Sequence, residues 1–353
     1  MAKNLTYREQ TDTENIMKLR EILKTLPEFT RDYFRAASTT TTTKTRISYA
    51  YDIRIFFQFL IEENPLFKGK EITDLTIDVL DQVKALDIEE YQEYLKAYSA
   101  GEDPNVTTNG ERGLKRKMSS LRSFYAYYFK HEMITTNPTL LVDMPKIHDK
   151  SIIRLDADEV AALLDYIEHC RDQLSGQKLV YYEKTKDRDF ALVTLLLGTG
   201  IRVSECVGLD VEDIDFKNNG IKVTRKGGNE MIVYFGEEVE EALCSYLEVR
   251  KGITPVAGHE HALFYSTQRK RMSVKSVENL VKKYAQAITT TKHITPHKLR
   301  STYGTALYQE TGDIYLVADV LGHRDVNTTK KHYAALDDAR RRTAATKVKL
   351  RKD

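Results

Sequence analysis

No stretch of the chain supplies the ~20 consecutive apolar side chains that a helix needs to cross a bilayer, so no membrane partner is expected. Cysteine is scarce. Cys170, Cys206 and Cys244 are odd in number and far apart, which argues against a disulfide framework and for free thiols in a reducing cytoplasm. The opening residues, MAKNLTYREQ, lack the apolar core of a secretory signal. An excess of either charge is missing too. With a formal net charge of +2, any nucleic-acid binding has to come from local clusters rather than from overall composition.

What is present fits a globular protein of two domains, since 353 residues exceed the usual size of one. Basic residues gather at Arg112, Lys115, Arg116, Lys117 and Arg122, at Arg269 to Arg271, and in the tail from Arg340 to Lys352. Each run taken alone is usually just a solvated face. Helical spacing of apolar residues marks an opening helix over 14–26, stopped by Pro27, and a second helix beginning after the threonines Thr39 to Thr43. A third is expected over about 76–98 and a fourth over about 109–130. In the fourth, Leu114, Met118, Leu121, Phe124, Tyr125 and Tyr128 form one face, while the basic cluster is expected to meet phosphate from another. Residues 1–148 therefore read as a helical bundle, closed by Asn137-Pro138 and a polar linker.

Residues 152–353 read as a mainly helical α+β domain with a small antiparallel sheet. Its one clear strand signal is the hairpin GIKVTRKGGNEMIVYF, and helices are expected over 236–250, 273–288, 296–310, 313–321 and 328–345. In TPHKLR, Thr295 is a candidate N-cap and Pro296 the first helical residue, so His297 and Arg300, three apart, share a face. Arg202 follows the Gly198-Thr199-Gly200 turn after the apolar helix DFALVTLLLG, and Glu205 either pairs with it structurally or orients it for an anion. Lys226 stands at the hairpin tip, Gly322 closes a helix before His323, and Tyr333 lies on the next helix. Read singly, the lysine is a solubilising residue and the tyrosine a core residue.

Read together, LLLGTGIRVSE, TRKGG, TPHKLR, LGHRD and the tyrosine of NTTKKHY resemble, in order and spacing, the tyrosine recombinase and phage integrase family. TRISYAYDIRIFFQFL and KRKMSSLRSFYAYYF, followed by Asn137-Pro138, resemble that family's SAM-like core-binding domain. SYLEVR, SVENLVKKYAQAI and ITPHKLR are most similar to its single-recombinase Xer group in streptococci and lactococci (XerS). One departure stands out. The family's nucleophile usually comes nine residues after the histidine of LGH, where this chain has His332, and Tyr333 comes one later. Ser301 also stands where many relatives carry a second histidine.

The resemblance implies a site-specific recombinase that acts on double-stranded DNA without metal, ATP or other cofactor. Arg202 and Arg300 would bind the scissile phosphate, and His323 would donate to a nonbridging oxygen. His297 would assist proton removal from Tyr333, whose hydroxyl has an unperturbed pKa of about 10. Lys226 would protonate the leaving 5′-oxygen. Lys115, Arg116, Lys117 and Arg122 would contact the DNA backbone, and residues 335–353 would link subunits into a homotetramer on two DNA sites. The biological role implied is Xer-type chromosome-dimer resolution, with integration or excision of a mobile element as the alternative. A non-catalytic DNA-binding protein would leave the cations and the tyrosine without a purpose. A metal-dependent nuclease built on Asp210, Glu212, Asp213 and Asp215 is disfavoured because that run is expected to lack histidine or cysteine partners.

Overall fold

The computed structural model describes residues 6–99, 106–148, 152–225, 228–323 and 326. The chain divides into two compact units, Met1–Lys150 and Ser151–Asp353.

In the first unit, α1 (Tyr7–Leu23), α2 (Thr30–Ala36), α3 (Thr43–Glu63), α4 (Val79–Gln82), α5 (Ala85–Tyr94) and α6 (Glu111–Lys130) surround an aromatic core. Thr42 caps α3 by accepting from the Thr45 N–H at 3.2 Å, as the threonine run foretold. Phe56 and Phe57 of α3 pack with Phe124, Tyr125 and Tyr128 of α6, all fully buried. Their contacts include edge-to-face pairs such as Phe57–Phe124, with ring centroids 6.1 Å apart. The single helix expected over 76–98 is instead α4, α5 and a strand, β1 (Ala97–Ser99), which pairs antiparallel with β2 (Val106–Thr108). Val83 and Lys84 are extended, and the Lys84 N–H donates to Asp87 Oδ2 at 2.7 Å, starting a new helix. No glycine or proline marks the break, and Val79, Leu80, Ile88 and Tyr91 stay buried across it, so helical spacing runs through uninterrupted. The opening helix also starts earlier than expected, capped by Thr6 and Glu9.

The second unit contains α7 (Ala157–His169), α8 (Gly176–Thr199), α9 (Val203–Gly208), β3 (Ile214–Asp215), β4 (Gly220–Thr224), β5 (Glu230–Tyr234), α10 (Glu237–Lys251), α11 (Val274–Ile288), α12 (Pro296–Thr311) and α13 (Ile314–Leu321). From Ala191 to Leu196 every side chain of α8 is buried, as befits a helix packed by neighbours on all sides, here α7, α10 and α12. The three strands form one antiparallel sheet in the order β3-β4-β5, with Gly220 opposite Tyr234 and Thr224 opposite Glu230. Mainly helical structure with small antiparallel sheets is the expected class. Among the described residues no helix is long and apolar enough to cross a membrane.

Candidate active site

The C-terminal end of α13 organises the site. Gly322 (φ 60°) takes the left-handed conformation that favours glycine and ends the helix. Its N–H donates to the Asp319 carbonyl at 2.7 Å, and the His323 N–H donates to Ala318 at 2.8 Å. That arrangement satisfies two of the carbonyls a helix end leaves without partners. The carbonyls of Val320, Leu321 and Gly322 accept from arginines instead.

Arg300 is one of them. It lies on α12, is 4% exposed, and donates to the Gly200 carbonyl at 2.6 Å and to the Leu321 carbonyl. Pro296 occupies the first turn of α12 as expected, and His297, one turn before Arg300, is exposed. Arg202 is the N-cap of α9, where its own N–H donates to Glu205 Oε2 at 2.8 Å. Its guanidinium donates to Glu205 Oε1 at 2.8 Å and to the Gly322 carbonyl at 3.3 Å. Glu205 is buried, so one carboxylate both caps the helix and fixes the arginine. The two readings of that pair merge: the structural ion pair is what orients Arg202. Gly200 (φ 62°) makes the junction possible, because a side chain there would meet the Tyr303 ring and, at 3.0 Å, Leu321.

The third arginine, Arg225, was not among the candidates. It follows β4, is 8% exposed, and donates to Leu321 at 2.6 Å and to Val320 at 2.8 Å. Burial holds its guanidinium below the ordinary arginine range, opposed by the charge of Glu205 and reinforced by that of Arg202. Strand parity carried the signal. Ile221 and Val223 point inward, and Arg225 is the next residue of the same parity. Three guanidiniums thus gather at one helix end, whose partial negative charge and the Glu205 carboxylate offset them only in part. Arg202 and Arg300 suit a phosphodiester and the extra charge of its five-coordinate transition state, while Arg225 is turned to the helix-end carbonyls of Val320 and Leu321.

Arg202, Glu205, Arg300 and the backbone of His323 are therefore brought together. Lys226, His332 and Tyr333 lie outside the described residues, as does the segment 335–353. The basic set of the first unit needs correction. Lys117 is buried, with its Nζ 3.3 Å from Asp52 Oδ1, because the adjacent turn of α6 must neutralise a carboxylate that is itself 2% exposed. Arg116 also grips Asp52, and Arg122 donates to the carbonyls of Thr139 at 3.0 Å and Val142 at 2.5 Å. Lys115 is exposed, and so is the outer part of Arg116.

The acidic run does meet a histidine, contrary to expectation, since His261 Nδ1 lies 2.8 Å from Glu212 Oε1. Its other members have partners of their own. Asp210 receives Arg271, Asp213 accepts the Asp210 N–H at 2.9 Å, and Asp215 accepts the Lys217 N–H at 3.0 Å.

The chain is similar to known proteins in sequence and in fold. Residues 153–340 match the phage integrase family. The chain is 34% identical to tyrosine recombinase XerC of Caldanaerobacter subterraneus subsp. tengcongensis over 314 residues, 86% of this chain and 81% of that one. It is 29% identical to tyrosine recombinase XerS of Streptococcus uberis over 350 residues, 91% and 95% of the two chains. Among solved structures, the Tn1549 transposon integrase in complex with circular intermediate DNA shares the fold, with a TM-score of 0.62, 22% identity, and coverage of 88% of this chain and 97% of that one.

Proposed function

The chain belongs to the phage integrase family and is a site-specific tyrosine recombinase, and from that premise we propose that it cuts and rejoins DNA through Tyr333 at the arginine cluster around α13. The observation that carries this reading is the convergence of Arg202 and Arg300 on the Leu321-Gly322 turn, directly before His323. Guanidiniums held rigidly at that turn present donors to the nonbridging oxygens without reorganising during the reaction. His323 adds a hydrogen bond to the phosphate. His297, on the exposed turn of α12, assists removal of the tyrosine proton, and Lys226 protonates the leaving 5′-oxygen. The Tyr333 oxygen bonds to phosphorus as the bond to the 5′-oxygen breaks, giving a 3′-phosphotyrosyl link and a free 5′-hydroxyl. A 5′-hydroxyl from a second strand reverses the step onto a new partner, so the bond energy is conserved without ATP.

The partner is duplex DNA carrying a recombination site, two of which are held by four protomers linked through residues 335–353. The likeness to XerC and XerS over most of the chain favours chromosome-dimer resolution. The longer spacing from His323 to the tyrosine favours, as a second reading, a recombinase of a mobile element. Covalent trapping tests both levels. Tyr333→Phe should bind DNA yet form no adduct, whereas His332→Phe should still form one; an adduct from Tyr333→Phe would sink the assignment of the nucleophile. Sequencing the DNA held by the wild-type protein then distinguishes a chromosomal site from the ends of an element.

A further inference from the structure

Arg225 joins two parts of the second unit that are 95 and 96 residues apart in sequence. Its side chain holds the Val320 and Leu321 carbonyls at the end of α13. Its backbone closes the β4–β5 hairpin loop: the Arg225 N–H donates to the Asn229 carbonyl at 2.7 Å, and its carbonyl accepts from the Gly228 N–H at 3.0 Å. The next residue in sequence is Lys226. The Leu321 carbonyl is shared between Arg225 and Arg300, so the hairpin, the helix end and the phosphate-binding arginine meet at one atom. The fit is close. A side chain on Gly322 would come within 2.7 Å of Arg225 Cζ, which shows how tightly the guanidinium sits against the turn that presents His323.

We propose that Arg225 is a positioning residue for DNA cleavage, locking the hairpin loop that carries Lys226 to the helix end that carries His323. It touches neither substrate nor reacting atoms in this role. It sets where the acid on one element stands relative to the phosphate site on another, and a displacement of about 1 Å between such groups slows a reaction roughly 100-fold. An arginine suits the task because its planar fork reaches two carbonyls at once, which a lysine ammonium does not do with the same rigidity.

This inference rests on the reading of Lys226 as general acid, and a sulfur leaving group separates the two. When the scissile 5′-oxygen is replaced by sulfur, the P–S bond breaks to a thiolate, whose conjugate acid has a pKa of about 8.5, so no proton donor is needed. The probe is a nicked duplex carrying the site that the full-length wild-type protein captures covalently, with either oxygen or sulfur at the scissile position. Arg225→Met should bind this DNA with wild-type affinity, form adduct on the oxygen substrate roughly 10- to 100-fold more slowly, and recover a near wild-type rate on the sulfur substrate. Arg225→Lys should show a smaller loss with the same recovery, and it carries the test if the methionine variant does not fold. Wild-type cleavage of the oxygen substrate by either variant, or equal slowing on both substrates, overturns the proposal. Lys226→Ala is the control. If sulfur rescues it but not the Arg225 variants, the link through Arg225 is wrong while the acid stands; if sulfur fails to rescue it, the acid reading falls and this proposal with it.

Discussion

Arg202 and Glu205 show how one carboxylate makes two contacts at once, capping α9 while holding a guanidinium in place. Reactivity at single residues follows burial just as closely. Burial pushes the Cys206 thiol up to about 12, and Cys170 is also buried, whereas Cys244 is exposed. A disulfide reagent applied to the native protein at neutral pH should therefore titrate one thiol, Cys244, and all three only after denaturation. The Glu212–His261 pair gives a pH-dependent readout. Their hydrogen bond is the main cause that lowers the Glu212 carboxyl and raises the His261 imidazole from its usual 6.5. A raised histidine contributes its stability in full below the unfolded value and loses it as pH rises through the folded one. The lowered carboxylate contributes above its own unfolded value and fades as pH falls through the folded one. The pair thus acts in the window between them, weakly because both groups are exposed. An NMR titration should place the His261 midpoint above 6.5, and Glu212→Gln should bring it back down.

At the level of elements, the end of α13 is the joint where Arg202, Arg225 and Arg300 meet. Gly322 meets two demands there, a left-handed φ and contact with Arg225. Gly322→Ala should cost about 1–2 kcal/mol from backbone conformation alone, measurable by denaturant unfolding. It should also slow adduct formation, because the added methyl displaces Arg225 from the helix end. This joint was only partly legible in sequence. Gly322-His323 and the α12 start at Thr295-Pro296 are local signals, and both hold. Arg225 was hidden because its partners are two carbonyls nearly a hundred residues away, although its strand parity pointed inward. The split of the helix expected over 76–98 was hidden for a related reason. Its buried positions keep helical spacing through the break, and the turn is made by a backbone bond to Asp87 rather than by a glycine or proline.

Across the whole molecule, near-neutral net charge means that DNA affinity has to come from a few exposed cations rather than from a general field. Lys115 and Lys117, two residues apart on α6, separate the contributions. Lys115→Ala should weaken DNA binding equally across sequences and reduce the slope of log affinity against log salt by about 1. Lys117→Ala should instead lower thermal stability, since it removes a partner from the buried Asp52 carboxylate. The sequence by itself determined the family, the mainly helical class, and Arg202, Glu205, His297, Arg300 and His323 as candidates, because these rest on short-range spacing, caps and turns that a linear pattern encodes. Only the tertiary structure decided that Lys117 turns inward and that Arg225 joins Arg202 and Arg300 at the end of α13. Which cation meets a buried carboxylate and which meets a helix carbonyl depends on segments far apart in the chain, and packing alone brings them together.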